Sequence, residues 1–253
     1  MGILINKVAI VTGAGQGVGR GIALALAKEG AAVAIPEINY DAAITTVSEI
    51  KALGGRALAI ACDVGKREQV NAAVAATIKE FGTVDILVNN AQWTCPSEVP
   101  IEDVSDEAWD KSFGSGVNAT FYFMQACFPY MKGTGGKIIN FASMAGTEGL
   151  VGRSAYAANK EAVRGLSRVA AHEWGQYNIT TNVILPWSNA PSWEMVKEKY
   201  PDLAAAAVAA NPMRRVGDPE KDVGRAVVYL CSPDASFINN LNLPVDGGQA
   251  NLR

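Results

Sequence analysis

Histidine is almost missing from this chain of 253 residues, because His172 is the only one. It ends a helical run, RVAAHEWGQ, where we expect it to lie on the helix surface. The four cysteines are scattered and form no CxxC pair; they are Cys62, Cys95, Cys127 and Cys231. Transition metals are held mainly by clusters of these two residue types, so we expect no metal site. Scattered cysteines are typical of reduced thiols in a cytoplasmic protein.

The chain also lacks any basic block and any apolar run of membrane-spanning length. Lysine and arginine total 22 against 25 aspartates and glutamates, which gives a formal net charge of −3. This balance argues against a nucleic-acid or anionic-membrane surface. The first strand-like run begins a few residues from the start, so we expect no signal peptide. We therefore expect a cytoplasmic protein with neither nucleic acid nor membrane as a partner.

A glycine-rich turn stands near the start of the chain, in KVAIVTGAGQGVGRGIALALAKEG. The run VAIV is short and apolar, as in a buried parallel strand, and it is followed by Gly13, Gly17, Gly19 and a helical pattern. Glycine lets the backbone turn tightly and approach a pyrophosphate, while the helix N-terminus offers N–H groups and a positive dipole end. This context predicts a dinucleotide site.

Strand-like and helical patterns alternate along the rest of the chain. Six more strand-like runs follow the first, namely AVAI, ALAIACDV, DILVNN, KIINFAS, TTNVIL and NLPVDGG. Helical patterns such as REQVNAAVAATIKEFG lie between them. Alternation of this kind indicates an α/β fold with a parallel sheet and helices on both faces. We expect residues 1–253 to form one domain, in which a proline- and tryptophan-containing segment at about 186–217 is the exception to this regular alternation.

Ser143, Tyr156 and Lys160 form the second informative pattern. Tyr156 and Lys160 are four residues apart, so they share one face of a helix. An ammonium beside a phenol should lower the pKa of the tyrosine, which could then move a proton to or from an alcohol oxygen. Ser143 follows the preceding strand-like run and could hold the same oxygen by a hydrogen bond.

Together these motifs resemble the short-chain dehydrogenase/reductase family over essentially the whole chain. TGAGQGVG matches the family's TGxxxGxG, and Asp63-Val64, Asn89-Asn90-Ala91 and VDGG near the C-terminus match three further signatures. Ser143, Tyr156 and Lys160 match the catalytic residues. The resemblance implies a doubly wound Rossmann fold of about seven strands in the order 3-2-1-4-5-6-7, a segment at about 186–217 that closes over the substrate, and a homotetramer.

The resemblance also implies the chemistry of each site residue. A nicotinamide cofactor exchanges a hydride with the substrate carbon, Tyr156 exchanges the hydroxyl proton, Lys160 assists it and Ser143 polarises the oxygen. The expected cofactor-binding residues are Gly13, Gln16, Gly17, Val18, Gly19, Glu37, Asp63, Val64, Asn90, Ala91, Tyr156, Lys160 and Pro186.

The choice of cofactor depends on Glu37, which follows the second strand where the adenosine ribose should lie. A carboxylate accepts hydrogen bonds from both ribose hydroxyls and repels a 2′-phosphate. We therefore expect NAD(H) rather than NADP(H).

Three positions depart from the family pattern. Gly116 stands where the family has a fourth catalytic residue, an asparagine, while Gln92 and Trp187 each replace a glycine. We expect ordered water to fill the space beside Gly116 and to reach Lys160, so that Gly116→Asn would be tolerated. The departures leave open an enzyme with an altered pocket or an impaired one.

The substrate is indicated only by composition near the site. The candidate contacts are Trp93, Met144, Leu150, Trp187 and Trp193, together with Met195. Three tryptophans with aliphatic neighbours favour a bulky apolar secondary alcohol or ketone, such as a cyclic, aromatic or steroid-like one. A 3-oxoacyl-thioester reductase and a nucleotide-binding sensor or assembly protein without turnover stay open as alternatives.

Overall fold

A seven-stranded sheet forms the centre of the computed structural model, which describes residues 2–94 and 98–250. The strands are β1 (Val8–Val11), β2 (Ala32–Glu37), β3 (Ala57–Ala61), β4 (Ile86–Asn89), β5 (Gly136–Phe141), β6 (Ile179–Pro186) and β7 (Asn242–Val245). They are all parallel and run in the order β3-β2-β1-β4-β5-β6-β7. This confirms the predicted fold class and strand order.

Ten α-helices accompany the strands in the described part of the chain. They are α1 (Gly17–Lys28), α2 (Tyr40–Ala52), α3 (Arg67–Phe81), α4 (Asp106–Phe113), α5 (Ala119–Met131), α6 (Met144–Thr147), α7 (Ser154–Trp174), α8 (Pro191–Lys199), α9 (Pro201–Ala210) and α10 (Arg225–Cys231). A π-helical turn, Gly114–Asn118, joins α4 to α5. A second one, Pro219–Gly224, precedes α10.

Two hydrophobic layers cover the two faces of the sheet. Successive residues of β1 alternate between them: Val11 packs with the layer that contains α1, α2 and α10, whereas Ile10 packs with the layer that contains α3 and α5. Alternation along a strand therefore gives each face its own core, as a parallel sheet buried on both sides requires.

The strand order reverses direction between β1 and β4. The chain leaves β1 toward β2 on one side and leaves β4 toward β5 on the other, so a crevice opens at the carboxyl ends of these two strands. The glycine turn follows β1 and Asn90-Ala91 follows β4, so both line this crevice. Sheet topology thus brings together motifs that are far apart in sequence.

Candidate active site

The glycine turn is fixed to β4 by polar contacts. The Thr12 hydroxyl accepts hydrogen bonds from the backbone N–H groups of Asn90 and Ala91, each at 3.0 Å. The Asn90 side chain donates to the carbonyls of Thr12 and Gly13 at 3.0 and 3.1 Å. Asn90 therefore shapes the turn through its side chain, and Thr12 is a supporting residue that the sequence reasoning missed.

The turn also leaves room that only glycine provides. Gly13 has a φ of 66°, in the left-handed region. A Cβ on Gly19 would lie 2.4 Å from the Gly13 carbonyl oxygen, so α1 packs directly against the turn. Its N-terminus opens on the cavity, which is the geometry that accommodates a pyrophosphate.

Glu37 lines this cavity beside the glycine turn, at the carboxyl end of β2. Its side chain is mostly buried, and its two oxygens accept hydrogen bonds from the backbone N–H groups of Gly15 and Asn39 at 3.1 and 3.0 Å. Pro36 does not turn the chain away, since both residues stay paired with β3. A carboxylate has further lone pairs, so ribose hydroxyls can still be bound.

The cavity itself has a volume of about 1130 Å³ and runs from the glycine turn to α7. It brings together all of the predicted catalytic and cofactor-binding residues and four of the five substrate candidates, Trp93, Leu150, Trp187 and Trp193. Met144 starts α6 and is outside the cavity lining described, as is the exposed Met195. Contact between Met144 and a ligand stays a prediction.

Helix α7 presents Tyr156 and Lys160 to the cavity on one face. The Lys160 ammonium lies 5.6 Å from the centre of the Tyr156 ring and donates a hydrogen bond of 2.9 Å to the Phe141 carbonyl at the end of β5. Ser143 caps α6 by accepting a bond from the Ala145 N–H at 3.2 Å, and its hydroxyl is also hydrogen-bonded to Tyr156. The three side chains thus meet at one point of the wall.

Electrostatics at this point differ from the sequence expectation. Desolvation raises the pKa of Tyr156 above its ordinary value, while the Ser143 hydrogen bond and the charge of Arg153 lower it in part. Burial lowers the pKa of Lys160 to about 7. The expectation of a lowered tyrosine pKa is therefore wrong for this state of the site, because loss of water outweighs the Ser143 hydrogen bond and the charge of Arg153.

The space beside Gly116 is the second correction. A Cβ on Gly116 would lie 2.1 to 2.5 Å from the side-chain amide of Asn159, so this amide already occupies the volume. The expectation of a water-filled gap is wrong, and so is the expectation that Gly116→Asn would be tolerated. Asn159 precedes Lys160 on α7 and is fully buried. Its place on the buried stripe of α7, with Val163 and Ser167, is the sequence signal that could have identified it.

Trp187, the third departure, lines the same cavity as Tyr156 and Lys160 of α7. Its backbone N–H donates to the Val245 carbonyl at 3.0 Å, and its ring meets that of Trp193 edge to face, with 5.4 Å between centroids. Buried polar atoms of this cavity, Ser188 Oγ and Trp193 Nε1, have no hydrogen-bond partner among the described residues. Such orphaned groups fit a site that receives a polar ligand.

The remaining expectations concern metals, cysteines and membranes. No cluster of metal-ligating side chains occurs among residues 2–94 and 98–250. Cys62, Cys127 and Cys231 are buried free thiols, and Cys95 lies outside the described residues. His172 is on the surface of α7, near Asn240. No helix in the described ranges combines the length and apolarity needed to cross a bilayer.

Comparison with known proteins places this geometry in a family. A family model described as enoyl-(acyl carrier protein) reductase matches residues 13–250. A 12alpha-hydroxysteroid dehydrogenase of a Clostridium species is 43% identical over 98% of both chains. The chain belongs to the short-chain dehydrogenase/reductase family. It is an oxidoreductase that acts on CH–OH groups by exchanging a hydride with a nicotinamide cofactor.

Two more members of the short-chain dehydrogenase/reductase family show how far the likeness extends. A cyclohexanol dehydrogenase of an Acinetobacter species is 38% identical and covers 96% of this chain and 94% of its own. A solved structure of a 7 alpha-hydroxysteroid dehydrogenase complexed with NADH and 7-oxo glycochenodeoxycholic acid superposes with a TM-score of 0.91 and is 35% identical in sequence, and the match covers 97% of this chain and 94% of that one.

Proposed function

We propose that this oxidoreductase is an NAD-dependent dehydrogenase of bulky cyclic secondary alcohols, working in either direction between alcohol and ketone. The observation that carries the proposal is the meeting of Ser143, Tyr156 and Lys160 at the wall of a cavity that Trp187 and Trp193 also line. The polar group of an alcohol would face the hydroxyls, and its rings would lie against the tryptophans. The names of the relatives, cyclohexanol and hydroxysteroid dehydrogenases, agree with a bulky cyclic alcohol as the substrate.

The chain's own residues supply orientation and a proton path. Bound cofactor supplies the hydride acceptor or donor at its nicotinamide ring. Tyr156 would take the hydroxyl proton during oxidation and return it during reduction, and Ser143 would hold the same oxygen. Lys160, whose pKa burial lowers to about 7, lies 5.6 Å from the centre of the Tyr156 ring and would assist this proton transfer. The segment 186–217, which contains α8 and α9, would close over the substrate.

NAD(H) is favoured over NADP(H) by the charges at the adenosine end. Glu37 brings a carboxylate to the cavity where a 2′-phosphate would be repelled. Arg20, the nearest cation to the glycine turn in sequence, forms an ion pair of 2.7 Å with Glu49 on α2. The solved relative that holds NADH agrees with this preference.

A substrate panel tests the proposal. We expect NAD⁺ reduction with cyclohexanol and with a hydroxylated steroid, and much slower reduction with a linear primary alcohol or a 3-hydroxyacyl thioester. Activity on the thioester alone would favour the acyl-thioester alternative. Cofactor binding without turnover on any member would favour the sensor alternative.

We also propose a cytoplasmic homotetramer. Its support is the family resemblance together with free, buried cysteines, which suit a reducing compartment. Light scattering on the purified protein measures the assembly, and a monomer would contradict that part of the proposal.

A further inference from the structure

Gly116, Asn159 and Gln92 form one connected group at the junction of three segments. Asn159 lies on the catalytic helix α7, Gly116 in the π-helical turn between α4 and α5, and Gln92 in the loop after β4. The Asn159 side chain accepts a hydrogen bond of 2.7 Å from the Val117 N–H and donates one of 2.7 Å to the Gln92 side-chain oxygen. One buried amide therefore joins all three segments.

Gln92 carries this connection onward to Trp93. Its side-chain nitrogen donates to the Trp93 carbonyl at 2.7 Å and to the Ser112 carbonyl at 3.2 Å. The Trp93 N–H donates to the Ser115 hydroxyl at 2.9 Å. Both backbone polar groups of Trp93 are thus held by this network, and Trp93 lines the cavity beside the catalytic residues.

Gly116 is the position that makes this arrangement possible. Any side chain there would overlap the Asn159 amide, whereas Gly114, two residues earlier in the same turn, has open space around its Cβ position. An overlap with a fully buried, doubly hydrogen-bonded amide cannot be relieved by a rotation into solvent. The glycine at 116 and the asparagine at 159 therefore depend on each other.

We propose that Asn159 is a positioning residue, which holds the π-helical turn and, through Gln92, fixes the Trp93 loop against the catalytic helix. Because residue 116 is a glycine, it leaves the space that the Asn159 side chain requires. The unusual residues at 92 and 116 are then parts of one compensated arrangement rather than signs of an impaired enzyme. The effect on catalysis rests on the proposed function, but the coupling between the three residues does not.

Hydrogen exchange tests the coupling without any need for turnover. Asn159→Ala and Gln92→Ala should each speed amide exchange in residues 90–94, because the bonds to the loop are lost. Unchanged exchange in both variants would overturn the proposal. This measurement reads the same way whether or not cyclic alcohols are substrates, so it separates failure of this inference from failure of the proposed function.

A stability cycle tests the role of Gly116. We expect Gly116→Ala to lower the melting temperature by about 5 °C or more, since overpacking a protein of this size costs several degrees. The matched Gly114→Ala should not lower it. In an Asn159→Ala background, Gly116→Ala should lower it no further, because the overlapping amide is gone. Equal effects of Gly116→Ala in both backgrounds would contradict the dependence.

Kinetics separate positioning from mere structural support. In Asn159→Ala and Gln92→Ala, loosening of Trp93 should raise KM for the alcohol about fivefold or more, the effect of one lost hydrogen bond, with the Kd of NADH little changed. A purely structural defect would reduce the active fraction and leave KM as it was. The double variant Gly116→Asn/Asn159→Ala returns an amide to the same volume, so its KM should be lower than that of Asn159→Ala. A KM as high as that of Asn159→Ala would contradict the shared volume.

Discussion

At the scale of a single residue, the proposed preference for NAD(H) depends on Glu37. Its carboxylate holds the N–H groups of Gly15 and Asn39 and faces the adenosine end of the cavity. Glu37→Gln keeps the size and one oxygen acceptor but removes the negative charge. We expect it to lower the ratio of the NADP⁺ dissociation constant to the NAD⁺ dissociation constant by about tenfold or more. The reason is that a carboxylate placed against the 2′-phosphate, a like charge, costs several kcal/mol. Titration of both cofactors measures the ratio.

The control for this change is Glu68→Gln, which removes the same charge from an exposed position on α3. It should leave the ratio of the two dissociation constants unaltered, since Glu68 is not among the residues that line the cavity and an exposed charge is screened by salt. Equal binding of NAD⁺ and NADP⁺ by the unmodified protein would contradict the assignment of Glu37.

Two helical glycines give a matched comparison at the scale of an element. Gly19 in α1 touches the glycine turn, so Gly19→Ala would place a Cβ 2.4 Å from the Gly13 carbonyl and displace the turn. Gly165 in α7 has open space around its Cβ position. We expect Gly165→Ala to raise the free energy of unfolding by about 0.5–1 kcal/mol, the ordinary gain for a helix interior. Gly19→Ala should lower it and weaken NADH binding.

Urea unfolding and NADH titration measure both effects. Loss of NADH binding in both variants would show that the weaker binding by Gly19→Ala does not come from the contact with Gly13. Tolerance of Gly19→Ala with unaltered binding would contradict the assignment of a tightly packed turn.

The elements were predictable from sequence where a local pattern determines them. Short apolar runs gave the strands, and the glycine turn, with Tyr156 and Lys160 four apart, identified the residues that line the cavity. The contact of Asn159 with Gly116 was not predictable in this way, because it joins two helices through residues 43 positions apart and depends on which side chain of α7 faces the π-helical turn. The raised pKa of Tyr156 also depends on burial, which only the folded chain defines.

Stability as a function of pH is a property of the whole molecule to which Lys160 contributes. Burial lowers its pKa from 10.5 to about 7 in the folded chain. Between these values the unfolded chain binds more protons, so this contribution to stability rises with pH. We expect the stability of the unmodified protein, relative to that of Lys160→Met, to rise between pH 7 and 9 with a slope approaching about 1.4 kcal/mol per pH unit.

Other groups with altered pKa values act equally in the two proteins. Burial raises the pKa of Cys62 to about 11, which makes stability fall at alkaline pH, and comparison with Lys160→Met cancels this effect. Urea unfolding of both proteins across the pH range gives the difference. If the free energies of unfolding of the two proteins changed with pH in parallel, Lys160 would not be desolvated in the folded chain.

The central claim is that Tyr156 exchanges the proton while the cofactor exchanges the hydride. The most direct measurement compares NADH formation from NAD⁺ and cyclohexanol by the unmodified protein and by Tyr156→Phe, with NADH binding measured for both. The account predicts a loss of turnover of about 10²–10⁴-fold, the range for a lost general acid–base group, with cofactor binding retained. Turnover by Tyr156→Phe within about threefold of the unmodified protein would contradict it, because loss of a tyrosine that transfers the proton should slow the reaction far more than that.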